Sequence, residues 1–222
     1  MPAELDHVFL WVSAGAPEAE SLAALGFHEG PANRHPGQGT ACRRFVVANR
    51  YLELLWVENP EEAQGPVARP LRLWERWAGR GAGACPFGVI LRPAQPEDAA
   101  PPFPAWEYRP PYLPPPLTLH VGTNAACIEE PLLFYFLGLS RPDSLPVQDR
   151  QRLEHGGEFR ELTAVRIFSP HGTLSPAMKA VDQTAAVVFH HGAAFMAEIG
   201  FDGEAQGRRA DLRPALPLVM CW

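Results

Sequence analysis

Apolar residues first run almost unbroken over Leu5–Val12, where only Asp6 and His7 interrupt, as in a strand covered on both faces. From Pro17 the spacing becomes helical. Ala19, Leu22 and Leu25 share a face, Pro17 suits the first turn, Glu18 and Glu20 suit its positive end, and Gly26 suits the exit. Phe27-His28-Glu29 starts another strand. Residues 33–40 are turn-forming, and strands follow over 41–48 and 51–57, joined tightly at Asn49-Arg50. The predicted order over 5–58 is strand, helix, strand, strand, strand.

Residues 59–158 read as a connector with extra strands. Leu71, Trp74 and Trp77 recur every three residues and predict a short amphipathic helix, ended by Gly79, Gly81 and Gly83. That glycine cluster lacks a preceding strand, and Pro86 stands where a dinucleotide site needs its third glycine. Strands are predicted at 87–91 and 117–121. Between them, Pro101, Pro102, Pro104, Pro110, Pro111 and Pro114–Pro116 exclude a helix or a central strand, while Phe103, Trp106, Tyr108 and Tyr112 mark a loop or edge pinned onto the body. Residues 131–139 fit helix and strand equally, and 141–158 read as a charged surface connection.

Residues 159–222 echo the first unit. A strand at 162–168 precedes a helix opened by Ser175-Pro176 and running to Gln183, then strands at 186–190, 194–201 and 216–222. Identity between the units is negligible, so the echo is one of order. The expected architecture is one α+β domain over 1–222. Its βαβββ modules, at 5–58 and, degenerate, at 159–222, form curved half-barrel sheets around a cleft, with the Pro-rich insertion between them.

Composition narrows the function classes. The chain has 222 residues, 46% of them hydrophobic, and a net charge of −6. That is enough for a sizeable core, and there is no cationic excess for a phosphate backbone, so no nucleic-acid partner is expected. No apolar run approaches the ~18 residues of a membrane span, and the start lacks the basic and apolar regions of a signal peptide, so no membrane partner is expected either. Cys42, Cys85, Cys127 and Cys221 fit neither a zinc motif nor a disulfide framework, and read as reduced thiols of a cytoplasmic protein. No Ser or Cys sits in a nucleophile motif.

In a half-barrel, side chains at one level of the first and last strands point into one cleft. Alternation groups Leu5, His7, Phe9 and Trp11 on one face, and Tyr51, Glu53, Leu55 and Val57 on another. His7 and Glu53 then make an imidazole–carboxylate pair able to hold Zn, Mn, Ni or Fe(II), with positions left open for water or substrate. Without a metal, a carboxylate among Tyr51, Leu55 and Trp56 is costly to charge and suits a general base, which makes Glu53 the candidate catalytic residue. The plainer alternatives are a hydrogen-bonded core histidine and a salt bridge from Glu53 to Arg43 or Arg44. The loop His35-Pro36-Gly37-Gln38-Gly39-Thr40 either brings His35 and open backbone to a ligand or makes a tight turn. Arg43 and Arg44 alternate in direction, so one faces the cleft and suits a carboxylate or carbonyl. Trp11, Tyr51 and Trp106 offer aromatic surface to a substrate. His190 and His191 point to opposite faces and read as structural.

Three ordered signatures, Leu5-Asp6-His7-Val8, His35-Pro36-Gly37-Gln38-Gly39-Thr40 and Tyr51-Leu52-Glu53-Leu54-Leu55, make residues 5–58 resemble the glyoxalase-like branch of the vicinal oxygen chelate superfamily. The resemblance implies paired βαβββ modules around a metal-binding cleft, with ligands on the first and last strands of each, and His7 and Glu53 as the first module's ligands. The later unit departs from that pattern: Ala164 stands where a ligand is expected, and Pro214–Trp222 has no carboxylate. If residues 87–121 supply the partner strands instead, His120 becomes a third metal ligand, and Glu198 is a further candidate. Both also fit exposed strand faces. A site reduced relative to metal-dependent members is expected.

Three readings of function remain open. The first is a metal-dependent lyase, isomerase or dioxygenase acting on a small oxygen-bearing substrate. The second is a metal-free protein that sequesters a small molecule in the same cleft. The third is a partner-binding domain whose 131–139 segment or C-terminal strand forms a homodimer face.

Overall fold

A computed structural model of the chain describes residues 3–95, 97–149, 155 and 159–222. Of the charged connection expected over 141–158, residues 150–154 and 156–158 lie outside the described residues.

Strand β1 (Ala3–Trp11) is buried along nearly its whole length at the centre of an eight-stranded sheet. Its antiparallel ladder to β5 (Phe87–Pro93) steps from Leu5↔Leu91 straight to His7↔Ile90, so Asp6 is a bulge residue. The extra residue breaks the two-residue alternation. Leu5 therefore joins Val8 and Leu10 on one face, while His7, Phe9 and Trp11 look out of the other. This corrects the expected four-residue face at its first member.

The first module is completed by α1 (Ala19–Ala24), β2 (Asn33–His35), β3 (Thr40–Val46) and β4 (Tyr51–Val57), with strand order β2-β3-β4-β1 and β4 parallel to β1. The strand expected from Phe27 begins only at Asn33. Next come α2 (Pro60–Gln64), whose Asn59 side chain accepts from the Glu61 and Glu62 amides, and α3 (Leu73–Gly79), the helix expected from Trp74 and Trp77.

Beyond β1 the sheet continues in mirrored order, with β5, β8 (Leu132–Tyr135), β7 (Leu119–Gly122) and β6 (Ala105–Tyr108), and β8 is parallel to β5. These strands are the second module. They occupy 87–135, inside the span expected as a connector, and residues 131–139 resolve as strand β8 and its exit. Among the described residues no helix joins β5 to β6, and Pro101, Pro102 and Pro104 deny one its backbone donors.

Residues 159–222, expected as the second module, build a separate five-stranded sheet. Its order is β10 (Val188–His191), β9 (Leu162–Ser169), β11 (Met196–Phe201), β13 (Leu218–Cys221) and β12 (Arg209–Asp211). Helix α4 (Pro176–Gln183) is capped by Ser175, whose hydroxyl accepts from the Met178 amide. Strand β9 runs parallel to β10, the next strand in sequence, rather than to the last strand of its unit. An identical order of elements thus hides a different pairing.

One face of the large sheet (Val8, Leu10, Leu54, Val89, Leu133) packs on the small sheet (Val165, Ile167, Ile199, Leu218, Met220), with Leu22 of α1 and Met178 and Val181 of α4 in the same core. The other face is concave. There Phe9, Trp11, Leu55, Val57 and Leu132 meet Ala63 of α2, Leu71 and Leu73. Each such burial stabilises by roughly 1.5–3 kcal/mol. The Phe9 ring lies across β5 at Gly88, where a Cβ would sit 1.9 Å from it. The helices cover the Trp11 end of the concave face, and the His7 end forms a cleft.

Candidate functional site

The cleft has a volume of about 240 Å³ and two unlike walls. The first module lines it with His7, Asn33, His35, Arg44, Tyr51 and Glu53; the second lines it with Ile90, Leu113, Leu119, Phe134, Phe136 and, beyond β8, Leu139.

The bulge at Asp6 sets the chemistry of the polar wall. It turns the Asp6 carboxylate back onto its own neighbour, so His7 Nδ1 donates to Asp6 Oδ1 at 2.7 Å. Nε2 is thereby aimed at Glu53 on the adjacent parallel strand, 3.2 Å from Oε2. Arg92, fully buried on β5, holds Asp6 from behind at 2.7 Å and also donates to Glu4 and to the Asn49 carbonyl. Burial alone would discharge these groups. For His7 it pulls the pKa down, yet the hydrogen bonds to Asp6 and Glu53 raise it above 6.5. Burial pushes Glu53 up, but His7, His35 and the Cys42 thiol bring it down to about 2. The buried pairs are therefore His7 with Glu53, in which the protonated ring is favoured, and the Arg92 guanidinium with Asp6. The Tyr51 ring stacks on His7 at 3.9 Å, and burial holds its phenol well above the usual range.

Ring nitrogens and loop residues extend the polar wall. His35 Nδ1 lies 2.9 Å from Thr40 Oγ1, and Nε2 lies 3.1 Å from Asn33 Nδ2. Burial lowers its pKa, which favours the uncharged ring. Gly37 and Gly39 have φ of +78° and +77°, and a Cβ at Gly37 would meet Pro111 at 2.7 Å. These glycines make a turn under the Pro-rich strap; they do not open backbone to the cleft. Donor atoms of His35, Cys42 and Glu53 lie within 4.8 Å of one another, a set able to hold a metal ion.

The other expected site residues separate. Arg44 lines the cleft and donates to the Pro31 carbonyl, whereas Arg43 points away and pairs with Glu29 at 2.5 Å. Glu53 therefore pairs with His7 rather than with either arginine. Trp11 lies in the concave core under the helices, and Trp106 packs beside Tyr108; neither is on the cleft wall. His120 was expected as a third ligand, but Leu119 and Val121 take the concave side of β7. The His120 ring lies instead on the opposite face, 6.2 Å from Tyr135, so it does not meet His7. Glu198 is in the small sheet and pairs with Arg209. Ala164 and Pro214–Trp222 are in that sheet too, so their lack of ligands has no bearing on this cleft.

Sequence reasoning missed Asp6 and Arg92 because a bulge cannot be read from alternation. Cys42 carried a legible signal: it shares a face with Arg44, two residues on. Tyr112 and Leu113 reach the cleft from the Pro-rich strap, where no period announces direction.

Residues 5–111, which run from within β1 to just past β6, match the model of the Glyoxalase-like domain family. No curated protein matches the chain. Among solved structures, a hypothetical protein from Staphylococcus aureus is similar over 99% of both chains, with 14% identity and a TM-score of 0.50. A mutant of 4-hydroxymandelate synthase from Streptomyces coelicolor has 18% identity and a TM-score of 0.42, covering 84% of this chain and 52% of that one. A xylose isomerase-like TIM barrel/4-hydroxyphenylpyruvate dioxygenase fusion protein has 12% identity and a TM-score of 0.48, covering 90% and 36%. The family match therefore covers the first module and β5 and β6, stops short of β7 and β8, and shows a glyoxalase-like domain over just under half of the chain, on a fold of two half-barrels joined at β1 and β5.

Proposed function

We propose that this protein is a metal-dependent enzyme that acts on a small substrate with an oxygen-bearing head and an apolar body. One observation carries the reading: a histidine whose Nδ1 is tied to a carboxylate presents Nε2 to a second carboxylate 3.2 Å away, at the base of a cleft. This is the arrangement that orients metal-binding histidines. His7 and Glu53 are the residues that would hold the ion, and the donor set fits a divalent cation, which would replace the proton now between them. When bound, such an ion supplies Lewis-acid stabilisation of negative charge on substrate oxygen. Arg44 attracts the same oxygen-bearing head, whereas Glu53, expected as a general base because burial would raise its pKa, is instead held down to about 2 by His7 and acts here as a ligand. Phe134, Phe136, Leu119 and Ile90 exclude water from the substrate's body.

Metal analysis after reconstitution with Zn, Mn, Ni or Fe(II) tests the reading. One equivalent is expected, and it is lost in His7→Ala and in Glu53→Ala. A second reading, metal-free sequestration of a flat apolar molecule, is favoured by the largely apolar second wall, where Tyr112 alone brings a polar group. Absence of metal from every reconstitution, with an aromatic ligand retained through purification, would move the assignment there.

A further inference from the structure

Resting on the metal reading above, we propose that Cys42 and His35 complete the ion's coordination with His7 and Glu53. One module then supplies every protein ligand, one of them a thiolate, and the ion is thiophilic, such as zinc, rather than manganese or magnesium.

Placement is the first support. Cys42 and Arg44 point from β3 to the same side, and Arg44 is the register partner of Glu53 on β4, so Cys42 lies diagonal to the carboxylate and donates its thiol to it. The donors of His35, Cys42 and Glu53 fall within 4.8 Å of one another, and His7 Nε2 adds a fourth beside Glu53. A tetrahedral ion with bonds of about 2.0–2.3 Å holds its ligands about 3.5 Å apart, so the His35, Cys42 and Glu53 donors need only close inward, while His7 Nε2 must follow Glu53 toward them. Asp6 fixes the ring of His7, and one of the two hydrogen bonds on His35, to Thr40 at Nδ1 or from Asn33 at Nε2, gives way to the ion while the other holds the ring.

Charge is the second support. Asp6 and Arg92 cancel. A dication with Glu53 alone would leave one buried positive charge, at a large desolvation cost. Adding a Cys42 thiolate brings the site to neutrality. Cys42 is fully buried, and all four cysteines are free, so a disulfide does not account for it. The facing strands offer Ile90 and Phe134 and no competing donor, which leaves that side of the ion to the substrate. Thiolate ligation selects soft cations over hard ones.

Cobalt(II) chloride titration of the metal-free protein, followed by absorption, tests this. One equivalent should produce the visible bands of a four-coordinate ion together with a near-ultraviolet sulfur-to-cobalt charge-transfer band. Cys42→Ser should lose the charge-transfer band and bind at least the ~10-fold more weakly that even outer-shell changes cause. Manganese(II) at equal concentration should not displace cobalt. Visible bands without a charge-transfer band, or equal competition by manganese, would overturn the thiolate while leaving the His7–Glu53 reading intact. No cobalt uptake at all would sink both. Should Cys42→Ser fail to fold by circular dichroism, the wild-type spectrum still decides, and His35→Ala, expected to weaken binding and shift the visible bands, tests the remaining ligand.

Discussion

The two halves of the large sheet have the same strand order, the same parallel pairing of first and last strands, and one shared antiparallel seam. Across that seam His7 stands directly opposite Ile90. One half sets His7, Tyr51 and Glu53 beside Phe9 and Leu55 on its concave face; the other offers Ile90, Phe134 and Phe136 there. The backbone fixes which positions look into the cleft and leaves their chemistry free. The polar half carries a cost the apolar half does not: its charges are buried, so it needs a network beneath them. Part of that network, Arg92, is borrowed from β5 in the apolar half. The halves are alike in shape and unequal in what they must stabilise.

The sharpest way to break this comparison is to remove the borrowed cation. Arg92→Met fills similar volume but removes the guanidinium from Asp6 and leaves it only the His7 ring, and should destabilise by about 3–5 kcal/mol in urea unfolding. Adding Asp6→Asn should recover part of the loss, because the orphaned charge goes with it. A cost below about 1 kcal/mol would mean that the polar half holds its charge without help.

The His7–Glu53 pair should make that half sensitive to pH in a defined window. Glu53 is depressed from 4.5 to about 2, so its contribution is present above 4.5 and is lost as pH falls toward 2. His7 is raised above 6.5, so its contribution is present below 6.5 and is lost as pH rises through the raised value. Between 4.5 and 6.5 both are complete. The acid limb spans roughly 3 kcal/mol by the usual conversion of pKa shift to stability. Glu53→Gln should flatten it and His7→Gln should flatten the alkaline limb, in unfolding measured from pH 2 to 9. Identical profiles for wild type and both variants would remove the ion pair.

How much of this was legible in the letters follows the same division. The first module reads well because each element has a local signal: Pro17 and Gly26 bound α1, and the tight Asn49-Arg50 joint separates β3 from β4. His7 and Glu53 were found because strand alternation is local too. The second module was legible only in pieces. β5 and β7 were read as strands, but its helix is replaced by prolines and β6 is masked by them. β8 is too short for its period to separate strand from helix, so the pieces were not joined into a module. The unit over 159–222 looked like a module because order is visible in sequence and pairing is not. His120 failed as a ligand for a one-residue reason: Leu119 and Val121, its apolar neighbours, took the concave side.

A smaller effect isolates the bulge. Asp6→Asn keeps shape and a hydrogen-bonding oxygen but removes the charge that orients His7. Metal affinity, measured by competition with a chelator, should fall about 10- to 100-fold, the range found when such outer partners are changed. An unchanged affinity would show that stacking on Tyr51, at 3.9 Å, is enough to aim the ring.

The smallest effect separates the cleft from the outer face of the same sheet. His120 belongs to the apolar half, is half-buried and rests near Tyr135 on the convex side. His120→Ala should leave cobalt or zinc stoichiometry and affinity at the wild-type level and change stability by less than about 1 kcal/mol, as expected of a residue outside the core and outside any charge network. Comparing it with His7→Ala in one titration series makes the difference between the halves quantitative, since the two substitutions delete the same ring from strands of the same sheet. Equal losses from both would put His120 in contact with the ion, require β7 to turn its face, and undo the assignment of the second half as the apolar wall.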